Sequence, residues 1–157
     1  MKKNILCLDL GKTMGWAVCK SGSIFSGIEK LHGNRFSGGG MPFLKFRQWL
    51  DSLKCNGETF HAIYFEEVRR HLGVDAAHVY GGFLATLTAW CEDQEVPYQG
   101  VSVATIKKHA TGKGNAKKPE IIDAMQKKGF NPQDDNEADA LALLHWALDH
   151  ESISANH

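Results

Sequence analysis

The chain has no long apolar run, no paired cysteines and no excess of either charge, and each lack narrows what it can be. No stretch approaches the roughly 18 apolar residues of a membrane span. The N-terminal "MKKNILCLDLGKT" faintly mimics a signal peptide, but its apolar segment is short and is broken by Asp9, which argues against that reading. The four cysteines, Cys7, Cys19, Cys55 and Cys91, are dispersed with no C-x-x-C pair. Two of them fall in predicted strands, where a free thiol behaves as a small apolar group. This usage points to a reducing, cytoplasmic setting without disulfides or structural zinc. There is no H-E-x-x-H, and the eight histidines are scattered, so a zinc enzyme is not expected. His145, in an apolar helix, reads as a satisfied core or interface residue.

A formal net charge of zero argues, taken alone, against a nucleic-acid binder. The distribution reverses that inference. Residues 107–128 hold lysines at 107, 108, 113, 117, 118, 127 and 128 against only Glu120 and Asp123. Residues 131–151 hold acids and no lysine or arginine. Screening over about 8 Å means that a bound phosphate feels the local cluster and not the sum. A solvated helical face is the plain alternative for those lysines.

At 157 residues, 43% of them hydrophobic, the expectation is one domain spanning 1–157. Strands are predicted at 4–10, 14–20 and 23–30, joined by "GKT" and Ser21-Gly22. "HGNRFSGGG" (32–40) is too glycine-rich for regular structure and is expected to be a flexible loop. A helix follows from about Pro42 to Leu53, with proline in its first turn. A fourth strand covers 61–68, a second helix runs from about Asp75 to Asp93, and a fifth strand covers 96–101. Ser102 or Thr105 is expected to cap a short helix that ends near "TGKGNAKK" (111–118). Pro119 to Lys128 reads as another helix, and Asp134 or Asp135 begins the last one, which extends to about Asp149. The order describes a mixed α/β fold, a meander leading into helix-linked strands.

Three acids stand in apolar company. Asp9 sits within the first strand, Glu66 follows Ile63, Tyr64 and Phe65, and Asp139 sits within "EADALALLHWAL". Asp135 and Asn136, four and three residues earlier, share a helical face with Asp139. Carboxylates about 4 Å apart repel by several kcal/mol at an effective dielectric near 20, so convergence calls for a cation or a shared proton. All-oxygen ligation suits Mg²⁺ or Mn²⁺, and two such ions about 4 Å apart are a known device for phosphodiester cleavage. Each acid also has a plainer reading: a turn residue at Asp9, a surface charge at Glu66, a partnered helix acid at Asp139.

"DLGKTMGWAV", "AIYFEEV", "IKKHATGKGNAKKPEII" and "EADALALL", in that order and spacing, resemble the RuvC-type Holliday junction resolvases, most nearly the small versions carried by bacteriophages. The resemblance covers nearly the whole chain. It implies a ribonuclease H-like fold, a mixed five-stranded sheet flanked by helices, and a homodimer that cleaves branched DNA with divalent metal, for which the carboxylate reading expects two ions per site. By motif position it casts Asp9, Glu66 and Asp139 as catalytic metal ligands. The family often has an acid where this chain has Asn136, so Asn136 or its neighbour Asp135 is the candidate fourth ligand. The resemblance also places the basic loop beside the site, making Lys107, Lys108, Lys113, Lys117 and Lys118 candidate DNA contacts. Arg69 and Arg70, just after Glu66, join them, and the "RFSGGG" loop is a weaker candidate.

Rival readings are fewer. Asp9-Leu-Gly-Lys-Thr fits the D-x-G-x-T phosphate loop of actin-like and sugar kinases, but those close two domains around ATP and the chain is too short for the second. "GKT" lacks the earlier glycine of a Walker motif. A non-catalytic nucleic-acid-binding relative of the same fold stays open, as does a nuclease for forks, flaps or RNA hybrids. For the dimer, the second helix is the expected interface, with Val79, Phe83 or Leu87 available to a partner.

Overall fold

The computed structural model describes residues 3–54, 59–71 and 73–155, with the side chains of 153–155 set aside. Its elements are β1 (Ile5–Asp9), β2 (Thr13–Lys20), β3 (Ser23–Lys30), α1 (Met41–Leu53), β4 (Ala62–Glu67), α2 (Val74–Gln94), β5 (Tyr98–Ser102), α3 (Val103–Thr111), α4 (Lys118–Lys127) and α5 (Asp135–Ala155). The sheet runs β3-β2-β1-β4-β5. β1, β2 and β3 form an antiparallel meander, while β4 pairs parallel with both β1 and β5. This is the mixed five-stranded sheet flanked by helices that the sequence predicts.

Helices cover both faces of the sheet, which explains why β1 is apolar at nearly every position. Ile5 and Cys7 of β1 join Tyr64 and Val101 in a core shared with α3, α4 and α5. Leu6 and Leu8 point the other way, into a core with Phe46 and Leu50 of α1 and Phe83 and Leu87 of α2. Strand side chains alternate between faces. Asp9 therefore continues the Ile5–Cys7 row, and Glu66 continues the Ala62–Tyr64 row. Both acids are delivered to the α5 face, at the carboxyl ends of two adjacent parallel strands.

Several expectations shift. The fifth strand begins at Tyr98 and not at residue 96, because the end of α2 takes the preceding residues. Glu95 adopts the left-handed conformation, and the Val96 N–H donates to the Cys91 carbonyl at 2.9 Å. Ser102, and not Thr105, caps α3, its hydroxyl accepting from the Thr105 N–H at 3.3 Å. The last helix extends past Asp149 to Ala155. Loop 32–40 has no helix or strand, as expected, and carries a hydrogen-bonded turn from Asn34 to Ser37. Phe83 and Leu87 are fully buried against α1 and the sheet, so they cannot form a docking face. Cys7, Cys19 and Cys91 are free and buried, as expected, while Cys55 lies outside the described residues. His145 is half-buried beside Phe130, but its buried Nε2 has no hydrogen-bond partner, so it is less satisfied than expected. Among the described residues no helix is long and apolar enough to cross a membrane.

Candidate active site

Asp9, Glu66 and Asp139 come together. One carboxylate oxygen from each lies within 4.8 Å of the others, and all three residues are partly buried. The first two arrive by strand alternation. The third depends on how closely α5 approaches the sheet, and that is set by Gly15, the register partner of Asp9. A Cβ on Gly15 would lie 1.9 Å from the Asn136 carbonyl oxygen. Only glycine lets the first turn of α5 rest on β2 and bring Asp139 over Asp9.

That first turn is fixed by hydrogen bonds. Asp134 accepts from the Glu137 N–H through its side chain at 2.9 Å and from the Ala138 N–H through its carbonyl at 3.2 Å. Glu137 is buried, and its carboxylate accepts from the Ser26 hydroxyl of β3 at 2.6 Å and from the Gln133 N–H at 2.9 Å. Tyr80 of α2 fixes the other side of the site. Its hydroxyl donates to the Glu66 carbonyl at 2.8 Å and accepts from the Val68 N–H at 3.2 Å. Sequence reasoning missed Gly15, Glu137 and Tyr80. A lone glycine inside a strand was a usable signal of close backbone approach for the first. Capping-box spacing from Asp134 to Glu137 was one for the second. Tyr80 carried none.

Electrostatics show the strain of the cluster. Burial pushes the Asp9 carboxyl well above its ordinary range, and the charges of Glu66 and Asp139 push it further. Burial likewise raises Glu66, with a hydrogen bond from Asp9 and the charge of Lys107 acting against it. Asp139 rises to about 7, chiefly by burial and then by Glu66 and Asp135. Such a set holds a shared proton or a cation. Three hard carboxylate oxygens with no sulfur or imidazole fit a hard divalent cation.

The fourth candidates differ in placement. The charge of Asp135 bears on both Asp9 and Asp139, and its carboxylate pairs with Lys118 at 3.1 Å. The side-chain amide of Asn136 instead donates to Asp134 at 3.2 Å.

The basic candidates divide as well. Lys107 and Lys118 both act electrostatically on Asp139, and Lys107 also on Glu66. Lys108, Lys113, Lys117 and Lys118 are exposed, and Lys113 approaches Glu120 at 4.0 Å. Arg69 is exposed and pairs with Glu67 at 3.4 Å; Arg70 is exposed beside it.

No protein-family model and no curated protein matches this chain. Solved structures do. Thermus thermophilus RuvC in complex with Holliday junction substrate superposes with a TM-score of 0.74 over 90% of both chains, at 18% identity. This chain has the RuvC fold. A second Thermus thermophilus RuvC structure matches with a TM-score of 0.67 over 88% of this chain and 89% of that one, again at 18% identity. The yeast mitochondrial Holliday junction resolvase Ydc2 matches with a TM-score of 0.58 at 12% identity, over 89% of this chain and 75% of its own. RuvC likeness at this identity is likeness of fold, and the chemistry has to be argued from the residues.

Proposed function

We propose that this chain is a single-domain, metal-dependent endodeoxyribonuclease that resolves Holliday junctions and related branched DNA by paired phosphodiester hydrolysis. The observation that carries the reading is the three-carboxylate cluster at the carboxyl ends of β1 and β4, on a fold shared with RuvC. Asp9, Glu66 and Asp139 hold Mg²⁺ or Mn²⁺, two ions per site, with Asp135 as fourth ligand in preference to Asn136. Bound there, the metal supplies Lewis acidity to a phosphodiester and to the attacking water. Hydrolysis adds that water to phosphorus and breaks one P–O ester bond, and the departing sugar oxygen takes up a proton.

The protein's own residues supply positioning. Tyr80 and Gly15 set the strand end and the helix that carry the ligands. Lys107 and Lys118 sit where a scissile phosphate meets positive charge, and Lys108, Lys113, Lys117, Arg69 and Arg70 extend that field along the DNA. Sequence likeness to the small bacteriophage resolvases belongs to the same proposal.

Two like cuts require two sites, so we propose a C₂ homodimer. The exposed face of α2 presents Gly81, Ala85 and Ala89, small residues on which a second helix can lie closely.

The test is cleavage of a synthetic four-way junction beside a linear duplex, with and without Mg²⁺. Junction-selective, metal-dependent nicking is expected. Asp9→Asn should reduce it about a hundredfold or more, since even groups that merely support metal ligands are worth ten- to hundredfold. Wild-type cleavage rates in Asp9→Asn would sink the assignment, and junction binding without cleavage by the wild type would favour the non-catalytic relative.

A further inference from the structure

Phe36 is the most exposed large apolar side chain among the described residues, at 81%. It is held in that position by a built turn. The Ser37 N–H donates to the Asn34 carbonyl at 3.0 Å, closing a β-turn with Arg35 and Phe36 at its two central positions. The Asn34 side chain accepts from the Phe36 N–H at 2.8 Å and from the Ser37 hydroxyl at 3.2 Å, and that hydroxyl accepts from the Asn34 N–H at 2.9 Å. Gly33 makes the turn possible, since a Cβ there would meet Ser37 Cβ at 2.9 Å. Four hydrogen bonds thus preorganise an aromatic ring that packs against no core.

The surroundings are basic. The Arg35 guanidinium lies 4.8 Å from the Phe36 ring centroid, a cation–π contact that covers one ring face. Lys45 Nζ donates to the His32 carbonyl at 2.7 Å. A polar hollow of 220 Å³ opens beside the turn, with Lys12, His32, Asn34 and Ser37 in its lining.

The turn is also tied to the catalytic end of the sheet. The Leu31 N–H donates to the Lys12 carbonyl at 2.7 Å, and His32 Nε2 lies 3.1 Å from the Thr13 hydroxyl. Lys12 follows Asp9 by three residues, and β3 lies two strand spacings from β1, on the order of 10 Å across the sheet.

We infer that the 32–40 loop is a second DNA-contact surface, on which the open face of Phe36 stacks an unpaired base near the branch point while Lys12 and the adjoining hollow receive its phosphate. A rigid aromatic face backed by arginine, at the edge of a basic hollow, is the chemistry that holds single-stranded nucleic acid. Continuous duplex offers no free base face to such a ring, so the surface discriminates in favour of opened DNA. This inference rests on the nuclease reading for its ligand.

The experiment places 2-aminopurine at the branch point of a four-way junction and measures its fluorescence on binding in EDTA, where binding is separated from cleavage. Wild-type protein should alter the signal. Phe36→Ala should abolish the change and weaken junction affinity about tenfold, and Phe36→Trp should restore both. Affinity for linear duplex should not move. An Ala variant that matches wild type in signal and affinity overturns the inference. Cleavage in Mg²⁺, read on the same preparations, separates the two readings. Cleavage with no Phe36 effect on binding refutes the stacking surface alone, whereas Phe36-dependent stacking without wild-type cleavage refutes the nuclease alone.

Discussion

At the scale of single residues, the acid cluster stores repulsion that a bound cation would relieve. Asp139 sits near 7, raised from an ordinary 3.8, and Asp9 and Glu66 are raised with it. A group raised on folding favours the native state fully only below its unfolded value and loses that contribution as pH climbs through its folded value. The metal-free protein should therefore lose stability between about pH 4 and pH 7 from this cluster. Melting temperatures at pH 5.5 and pH 8 check this, with Asp139→Asn removing much of the difference and stabilising the metal-free protein at pH 8 by about 2 kcal/mol. Added Mg²⁺ should stabilise wild type at pH 8 and do little for the Asn variant. A flat profile in wild type would show that the carboxylates do not interact as described. The proposed fourth ligand is separable at the same scale. Because the charge of Asp135 bears on Asp9 and Asp139 and the Asn136 amide donates to Asp134, Asp135→Asn should reduce cleavage far more than Asn136→Ala. The reverse ranking would assign the position to Asn136.

At the scale of elements, the site is the meeting of two strand ends with one helix start. The strands place Asp9 and Glu66 through alternation, which any two adjacent parallel strands in this register would do. Docking of α5 is the delicate part. Gly15→Ala sets a methyl against the Asn136 carbonyl, and relief requires that β2 or the start of α5 move. An overpacked contact of this kind costs about 1–3 kcal/mol. Cleavage should fall further than stability does, since the displaced helix carries Asp139 away from Asp9. Thermal melting and nicking rate, measured together, check this, and an active Gly15→Ala protein would show that the close approach is unnecessary. Strands and helices were largely legible in the sequence, because apolar periodicity and glycine or proline punctuation are local. The start of β5 was not, because the left-handed residue that ends α2 was decided by packing around Val96.

At the scale of the whole molecule, the proposed dimer turns on which face of α2 is free. Sequence pattern marked the helix as apolar on more than one face but could not rank them, and Phe83 and Leu87 proved to be core. The exposed Gly81–Ala85–Ala89 face is what a partner can reach. Ala85→Glu should convert a dimer to a folded monomer in sedimentation at micromolar concentration, with circular dichroism unchanged. A wild-type protein that is monomeric both free and on junction DNA would end the proposal.

Local sequence pattern carries the α/β class, the strand order in the chain, and the three acids in apolar company, because each is legible within a few residues. It also marked Lys107 and Lys118, though among several lysines of equal standing. Tertiary structure alone decided that those three acids converge, that Lys107 and Lys118 act electrostatically on Asp139 while Lys113 approaches Glu120, and that the charge of Asp135 bears on the cluster while the Asn136 amide donates to Asp134. It alone revealed the Phe36 turn, whose outward display depends on four bonds around Asn34 and Ser37. Convergence is a property of register and helix docking, and those are set by contacts between residues more than a hundred positions apart, such as Gly15 with Asn136 and Ser26 with Glu137.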